Sequence, residues 1–398
     1  MNAPELNAVS NWLIDGARSA ATPNQIMAEC CERMVQAGLP LWRVGVFVRT
    51  LHPEVFGRNF IWKPGADVEV GTVDFDIQET PQFKASPLSL VFLAGVEVRS
   101  DPDSPEAQRF PVLSDLRKEG ATDYIAMPLR FRDDTIHAVS WATRRPGGFS
   151  GEEIEVLRTM VKPLARVIEI VTLRRTATML LDTYVGNRAG ERIMGGQIRR
   201  GHTDTMQAVI WLSDLRGFTA LSDRLPAETV VEILNRYFDC QVASIRAHGG
   251  EVLKFMGDGL LAVFPVDEYV DDANHICSNV LEAARASRSS VAALTYPTRD
   301  AIERFRFSIA LHVGNILYGN IGGGNRLDFT CIGRAVNLAA RLEKVAGRLG
   351  RTVVASQGFA GLCDAGWTEL GEFPIAGFLD AQRVYGLTEE IPVTTARH

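Results

Sequence analysis

The stretch VIWLSDLRGFTALSD, residues 209–223, decides how the second half of this chain folds. Val209 to Leu212 form an unbroken apolar run, the mark of a strand buried on both faces. The run ends at Ser213-Asp214, a turn containing Gly217 follows, and Ser222-Asp223 is expected to cap the next helix. A carboxylate at the end of a buried strand sits where α/β sheets place ligand groups. Asp214 therefore has two readings: a ligand-binding carboxylate, or a residue that only caps the turn. Backbone N–H groups of the turn, at Gly217, Phe218 and Thr219, are placed to cradle a phosphate.

Downstream, EVLKFMGDGLLAVF (251–264) reads as two apolar strands joined by a tight turn at Gly257-Asp258-Gly259. Asp-Gly is a strong hairpin signal, so Asp258 can be explained by turn chemistry alone. Lys254 stands four residues earlier and alternates with Phe255, which places it on one sheet face with Val252 and Met256. A lysine beside a turn aspartate is either a surface ion pair or part of a site. Two aspartates near one sheet edge can hold Mg²⁺, which takes one or two carboxylates and completes its shell with water and phosphate oxygens.

The third segment is LDFTCIGRAVNLAARLE (327–343). Asn337 and Arg341 are i and i+4 and share one helix face, with Leu338, Leu342 and Val345 on the apolar face. By periodicity alone Asn337, Arg341, Lys344 and Arg348 also fit a solvated stripe. Asp328 and Thr330 are two apart in a strand-like segment and point the same way. Local physics does not choose between them.

Around these segments the chain is an ordinary globular one. It has 398 residues, a formal net charge of -6, a pI near 5.7 and 46% hydrophobic residues. The acidic balance argues against nucleic acid as the main partner. The N-terminus lacks the pattern of a signal peptide, and no window offers the 18 or so uncharged apolar residues of a membrane span, so a cytoplasmic location is expected. The six cysteines show neither CxxC spacing nor a disulfide framework and read as reduced and buried.

Three regions follow. Residues 1–150 read as two helices and then an antiparallel sheet, an α+β sensor-like unit. Residues 151–203 read as a linker. Ser150 is a plausible N-cap, apolar residues recur at 154, 157, 160, 161, 164, 167, 168 and 171, and the helix is expected to run to about 184 with an interruption at Pro163. A helix this long between domains has two readings: it pairs with a partner helix, or it only closes the first domain's sheet. Residues 186–203, rich in Gly and Arg, read as a hinge. Residues 204–390 read as one α/β unit, with helices expected over about Ala227–Ala247 and Tyr269–Arg285.

Taken together, SDLRGFTALS, KFMGDGLLAVF and DFTCIGRAVNLAARLE resemble the catalytic domain of class III nucleotidyl cyclases, in that family's order. The resemblance implies a ferredoxin-like βαββαβ domain over 204–390 in an α+β chain. It implies that Asp214 and Asp258, with the Leu215 carbonyl, hold two Mg²⁺ or Mn²⁺ ions, that Lys254 reads the purine, that Asn337 orients the ribose and that Arg341 stabilises charge on the reacting phosphate. The family's second purine-reading position lies seven residues before the asparagine, which selects Thr330. Threonine there resembles the subgroup associated with bicarbonate or CO₂ responsiveness. The resemblance further implies ATP as substrate, 3′,5′-cyclic AMP and pyrophosphate as products, and a homodimer with active sites at the subunit interface. Lys254 as donor to adenine N1 and Thr330 as acceptor from N6 favour adenine over guanine. A guanylate cyclase and a catalytically silent nucleotide-binding homologue are the alternatives. Two positions depart from the pattern: Arg334 stands where an acidic residue is common, and Ile375-Ala376-Gly377 lacks the usual basic triphosphate contact, leaving Arg306 or Arg326 as candidates. Residues 1–150 resemble, more distantly, a GAF-type sensor domain.

Overall fold

The computed structural model describes residues 1–53, 55–102, 104, 109–266, 272–297, 302–324, 326–363 and 366–390. The chain divides into two compact units, Met1–Leu180 and Leu181–His398.

The first unit is built on six antiparallel strands in the order Glu69–Val73, Gly57–Trp62, Arg43–Arg49, Ile136–Thr143, Asp123–Arg130, Val98–Ser100. The α+β expectation holds here. One face packs Val44, Val46, Trp62 and Trp141 against helices Ala3–Ile14, Pro23–Gln36 and the start of Gly151–Val185. The other packs Tyr124, Ala126 and Ala138 against helices Pro87–Ala94 and Pro111–Lys118.

Helix Gly151–Val185 starts as expected. Glu153 N–H donates to Ser150 Oγ (3.3 Å), and Ser150 N–H donates back to the Glu153 carboxylate (2.7 Å), a reciprocal capping box. It does not break at Pro163. An interior proline costs roughly 3 kcal/mol. Ile154, Leu157 and Met160 before it, and Leu164 and Val167 after it, are all buried in one core. Each such side chain contributes about 1.5–3 kcal/mol, so packing outweighs the proline. The hinge expected over 186–203 is also partly wrong. Asn187–Met194 is a helix whose Ala189 is fully buried, and the next strand already begins at Thr203.

After helix Asn187–Met194, the main elements of the second unit are strand Thr203–Leu215, helix Ala227–Ala247, strands Glu251–Met256 and Gly259–Val266, helix Ala273–Ala293 and strand Phe307–Gly323. That is βαββαβ. Within the sheet these strands lie in the spatial order fourth, first, third, second, and the sheet continues through Val353–Ser356, Gln382–Leu387 and Trp367–Phe373. Helix Ala273–Ala293 ends there rather than near Arg285; its expected start at Tyr269 lies outside the described residues. Ser222 does not cap the following helix. It closes the short helix Phe218–Ser222, with its Oγ on Thr219 O (2.8 Å), while Pro226 takes the cap position of Ala227–Ala247.

Alternation along Thr203–Leu215 sets the two faces. Val209, Trp211 and Leu215 pack with Ile233, Tyr237 and Val280 of the two long helices. Ala208, Ile210 and Leu212 pack on the opposite side with Ala335 and Ala339 of helix Arg334–Leu349. Asp214 shares the second face.

Candidate active site

Asp214 is the last even position of its strand. It lies opposite Ser308 in register, and Ser213 lies opposite Leu260. The hairpin Glu251–Met256/Gly259–Val266 brings Asp258 to the same end of the sheet, with Gly257 in the left-handed conformation (φ 68°) that the tight turn requires. The two carboxylates interact. Burial first, and then the Asp258 charge, push the Asp214 carboxyl up to about 6. Burial also raises that of Asp258. A Cβ at Gly259 would lie 3.2 Å from Asp214 Oδ1 and 3.1 Å from Ser213 O, so glycine keeps the space beside the carboxylate clear.

Two half-buried, mutually repelling carboxylates suit a hard cation, since oxygen ligands and negative charge are what Mg²⁺ requires. Among the described residues no group of three or more His, Cys, Asp and Glu is gathered as a metal site. A pair of carboxylates fits an ion that completes its shell with water and substrate phosphates. Leu215 ends the strand, its side chain buried in the core. Gly217 follows with φ 74° and opens helix Phe218–Ser222. Phe218 and Thr219 occupy the first helical positions, where N–H groups lack intrahelical acceptors.

Lys254 is placed differently from its expected face. A bulge between Val252 and Lys254 leaves Leu253 unpaired and breaks the alternation. Val252 packs under the long helices, Leu253 packs in the opposite core, and Lys254 Nζ reaches Asp328 Oδ2 at 3.1 Å. Strand Arg326–Ile332 carries Asp328 and pairs back on the distal half of Phe307–Gly323, from Leu317↔Ile332 to Gly323↔Arg326. Asp328 and Thr330 thus play distinct parts. The Asp328 side chain is 60% exposed and holds Lys254. Thr330 is 5% exposed, and its Oγ1 is buried without a hydrogen-bond partner among the described residues. A buried orphan hydroxyl is costly unless something outside the chain uses it.

Asn337 and Arg341 are exposed on helix Arg334–Leu349, opposite the stripe Leu338, Ala339, Leu342 and Val345. The helix charges acting on Asp214 are Glu343 and Lys344, and Arg341 is not among them. The structure brings Asp214 to Asp258, and Lys254 to the strand of Thr330. It does not bring Arg341 to the aspartates of its own chain.

Three residues that the sequence reading passed over belong here. Ser308 Oγ donates to Glu343 Oε1 (2.7 Å), tying the strand beside Asp214 to this helix. Arg216 reaches the end of the same helix, donating to Ala346 O at 3.0 Å. Periodicity gives no signal for either contact, because both pair residues distant in sequence. Arg334, unexplained by the motif, lays its guanidinium 4.8 Å from the centre of the Phe378 ring. Ile375 is buried, and Arg306 contributes its carbonyl to Arg216 N–H (2.7 Å).

Residues 202–386 match the family described as the adenylate and guanylate cyclase catalytic domain. This part of the chain is similar to the catalytic domain of adenylate and guanylate cyclases. Over 210 residues the chain is 27% identical to an adenylate cyclase of Anabaena cylindrica, a match covering 52% of this chain and 41% of that protein. It is 30% identical over 194 residues to adenylate cyclase 1 of Rhizobium meliloti, covering 46% and 28%. The chain thus spans less than half the length of these relatives. Among solved structures, the guanylyl cyclase Cya2 is 29% identical, with 47% of this chain and 95% of that one covered and a TM-score of 0.39. Among the described residues no helix is long and apolar enough to cross a membrane.

Proposed function

We propose that the chain is an adenylate cyclase that converts ATP to 3′,5′-cyclic AMP and pyrophosphate, with residues 1–150 as a GAF-like regulatory domain and 151–203 as a signalling linker. The observation that carries the reading is the Asp214–Asp258 pair at one sheet end, within the cyclase-matching segment. The ATP 3′-OH attacks the α-phosphorus and gives up its proton to solvent, the new 3′ O–P bond forms, and the bond to pyrophosphate breaks. Divalent ions held by Asp214, Asp258 and the Leu215 carbonyl would polarise the attacking oxygen and neutralise the leaving pyrophosphate. Gly217, Phe218 and Thr219 present backbone N–H groups to the phosphates. Asn337 orients the ribose and Arg341 donates to the charge that develops on the α-phosphoryl group.

In this reading Asn337 and Arg341 act on the phosphates held at Asp214 of a second copy of the chain. A two-fold homodimer would give two equivalent sites, each with metal ligands from one subunit and Lys254, Thr330, Asn337 and Arg341 from the other.

Adenine specificity rests on Lys254 and Thr330. Lys254 can only donate and suits adenine N1; the orphan Thr330 Oγ1 can accept from the N6 amino group. Thr330→Val removes that hydroxyl at nearly constant shape. Because no partner within the described chain is lost, its stability is expected to stay within about 1 kcal/mol of wild type or rise. The preference for ATP over GTP should fall about tenfold or more. Thermal melts and kcat/KM for both nucleotides check this; a strongly destabilised variant with unchanged selectivity would give Thr330 a purely structural part. The test of the substrate assignment is product analysis from equimolar ATP and GTP with Mg²⁺ or Mn²⁺. Excess cyclic AMP supports it; excess cyclic GMP makes the chain a guanylate cyclase, with Lys254 misassigned.

A further inference from the structure

Arg216 sits between Leu215 and Gly217, at the centre of the turn assigned to the metal. It is tied down at both ends. Its N–H donates to Arg306 O (2.7 Å) on the segment leading into strand Phe307–Gly323. Its guanidinium crosses to helix Arg334–Leu349, where Nη2 donates to Ala346 O (3.0 Å) in the last turn and to Arg351 O just beyond. Those carbonyls lie at the negative end of the helix dipole, where a cation is favoured. A second tie runs parallel: Ser308, the register partner of Asp214, donates to Glu343 of the same helix at 2.7 Å. The metal-side turn and the helix bearing Asn337 and Arg341 are thus braced together within one chain.

In the shared-site dimer these two elements serve different active sites. We propose that Arg216 is a positioning residue for both at once: it fixes the metal-side turn of its own site and, through the helix, the Asn337–Arg341 pair that its chain lends to the other. This rests on the shared-site reading above. A displacement at one metal turn would then be felt at the opposite site.

The test uses full-length chains in mixed dimers. Asp258→Ala paired with Arg341→Ala leaves one competent site, whose metal side comes from the Arg341→Ala chain and whose Asn337 and Arg341 come from the Asp258→Ala chain. Arg216→Ala is added to one chain at a time. On the Arg341→Ala chain, the metal concentration for half-maximal rate is expected to rise about tenfold or more. On the Asp258→Ala chain, kcat at saturating metal is expected to fall about tenfold to a hundredfold, with the metal requirement unchanged. Arg216→Lys keeps the charge but cannot span both carbonyls. It should show the same two-sided pattern at smaller size and an unchanged melting temperature, which separates positioning from a folding defect. An effect from one chain only, or wild-type behaviour of Arg216→Lys in both pairings, overturns the double role. An inactive parent pair beside an active wild type defeats the shared-site reading instead, and an inactive wild type defeats the cyclase reading.

Discussion

Asp258→Ala and Arg341→Ala, each close to inactive alone, are expected to regain about a quarter of wild-type activity when mixed under exchanging conditions. Random pairing makes about half of the dimers mixed, and each mixed dimer keeps one of two sites free of both substitutions. The reason lies in the placement of the side chains. Asp214 and Asp258 lie at one sheet end, near enough for one charge to perturb the other. Arg341 stands on the exposed side of helix Arg334–Leu349 and is not among the charges that shift Asp214. Removing a preorganised donor to developing charge costs about 10²–10³ in kcat, so the single variants should lie far below the mixture. No recovery, with exchange verified, sinks the shared arrangement.

Asp214→Asn should abolish turnover and yet stabilise the metal-free fold near neutral pH. The sign follows from its carboxyl, raised from 3.8 to about 6 by burial and by Asp258. Between those values the folded chain binds a proton that the unfolded chain has released. Stability therefore falls as pH rises from about 4 to 6 and stays reduced above that. Asparagine keeps the shape without the charge. In chelator at pH 7 the variant should melt above wild type, on a scale of about 2–4 °C per kcal/mol for a unit of this size. Added Mg²⁺ or Mn²⁺ should raise the wild-type melting temperature by mass action and leave the variant nearly unchanged. A variant that melts lower in chelator, or equal metal shifts in both proteins, would mean that Asp214 is held for structure.

Much of the site was legible where chemistry and local order coincide. The apolar run Val209–Leu212 placed Asp214 at a strand end, and Gly257-Asp258-Gly259 placed Asp258 in a hairpin turn. The helix expected over Ala227–Ala247 has those same ends. What escaped depends on pairing. The bulge at Leu253 moves Lys254 off the face that strict alternation gives it, and only the partner strand Gly259–Val266 fixes such a bulge. Strand Phe307–Gly323 is far longer than its apolar run, because its second half is held by Thr203–Leu215 on one side and Arg326–Ile332 on the other. Helix Asn187–Met194 was hidden in a Gly- and Arg-rich stretch, since Ala189 finds its burial against distant residues. Pro163 misled for the same reason: the local penalty was read, and the core holding both sides of it was not. The Asn337–Arg341 face reads the same as a wet surface or as half of a site, and the exposure of both side chains fits either until a second chain is brought to it.

The most direct measurement is the product balance of the purified full chain with ATP. The account predicts cyclic AMP and pyrophosphate in a one-to-one ratio, dependent on Mg²⁺ or Mn²⁺ and lost in Asp258→Ala. Pyrophosphate-free turnover, or no cyclic nucleotide with either metal and either purine, would contradict it.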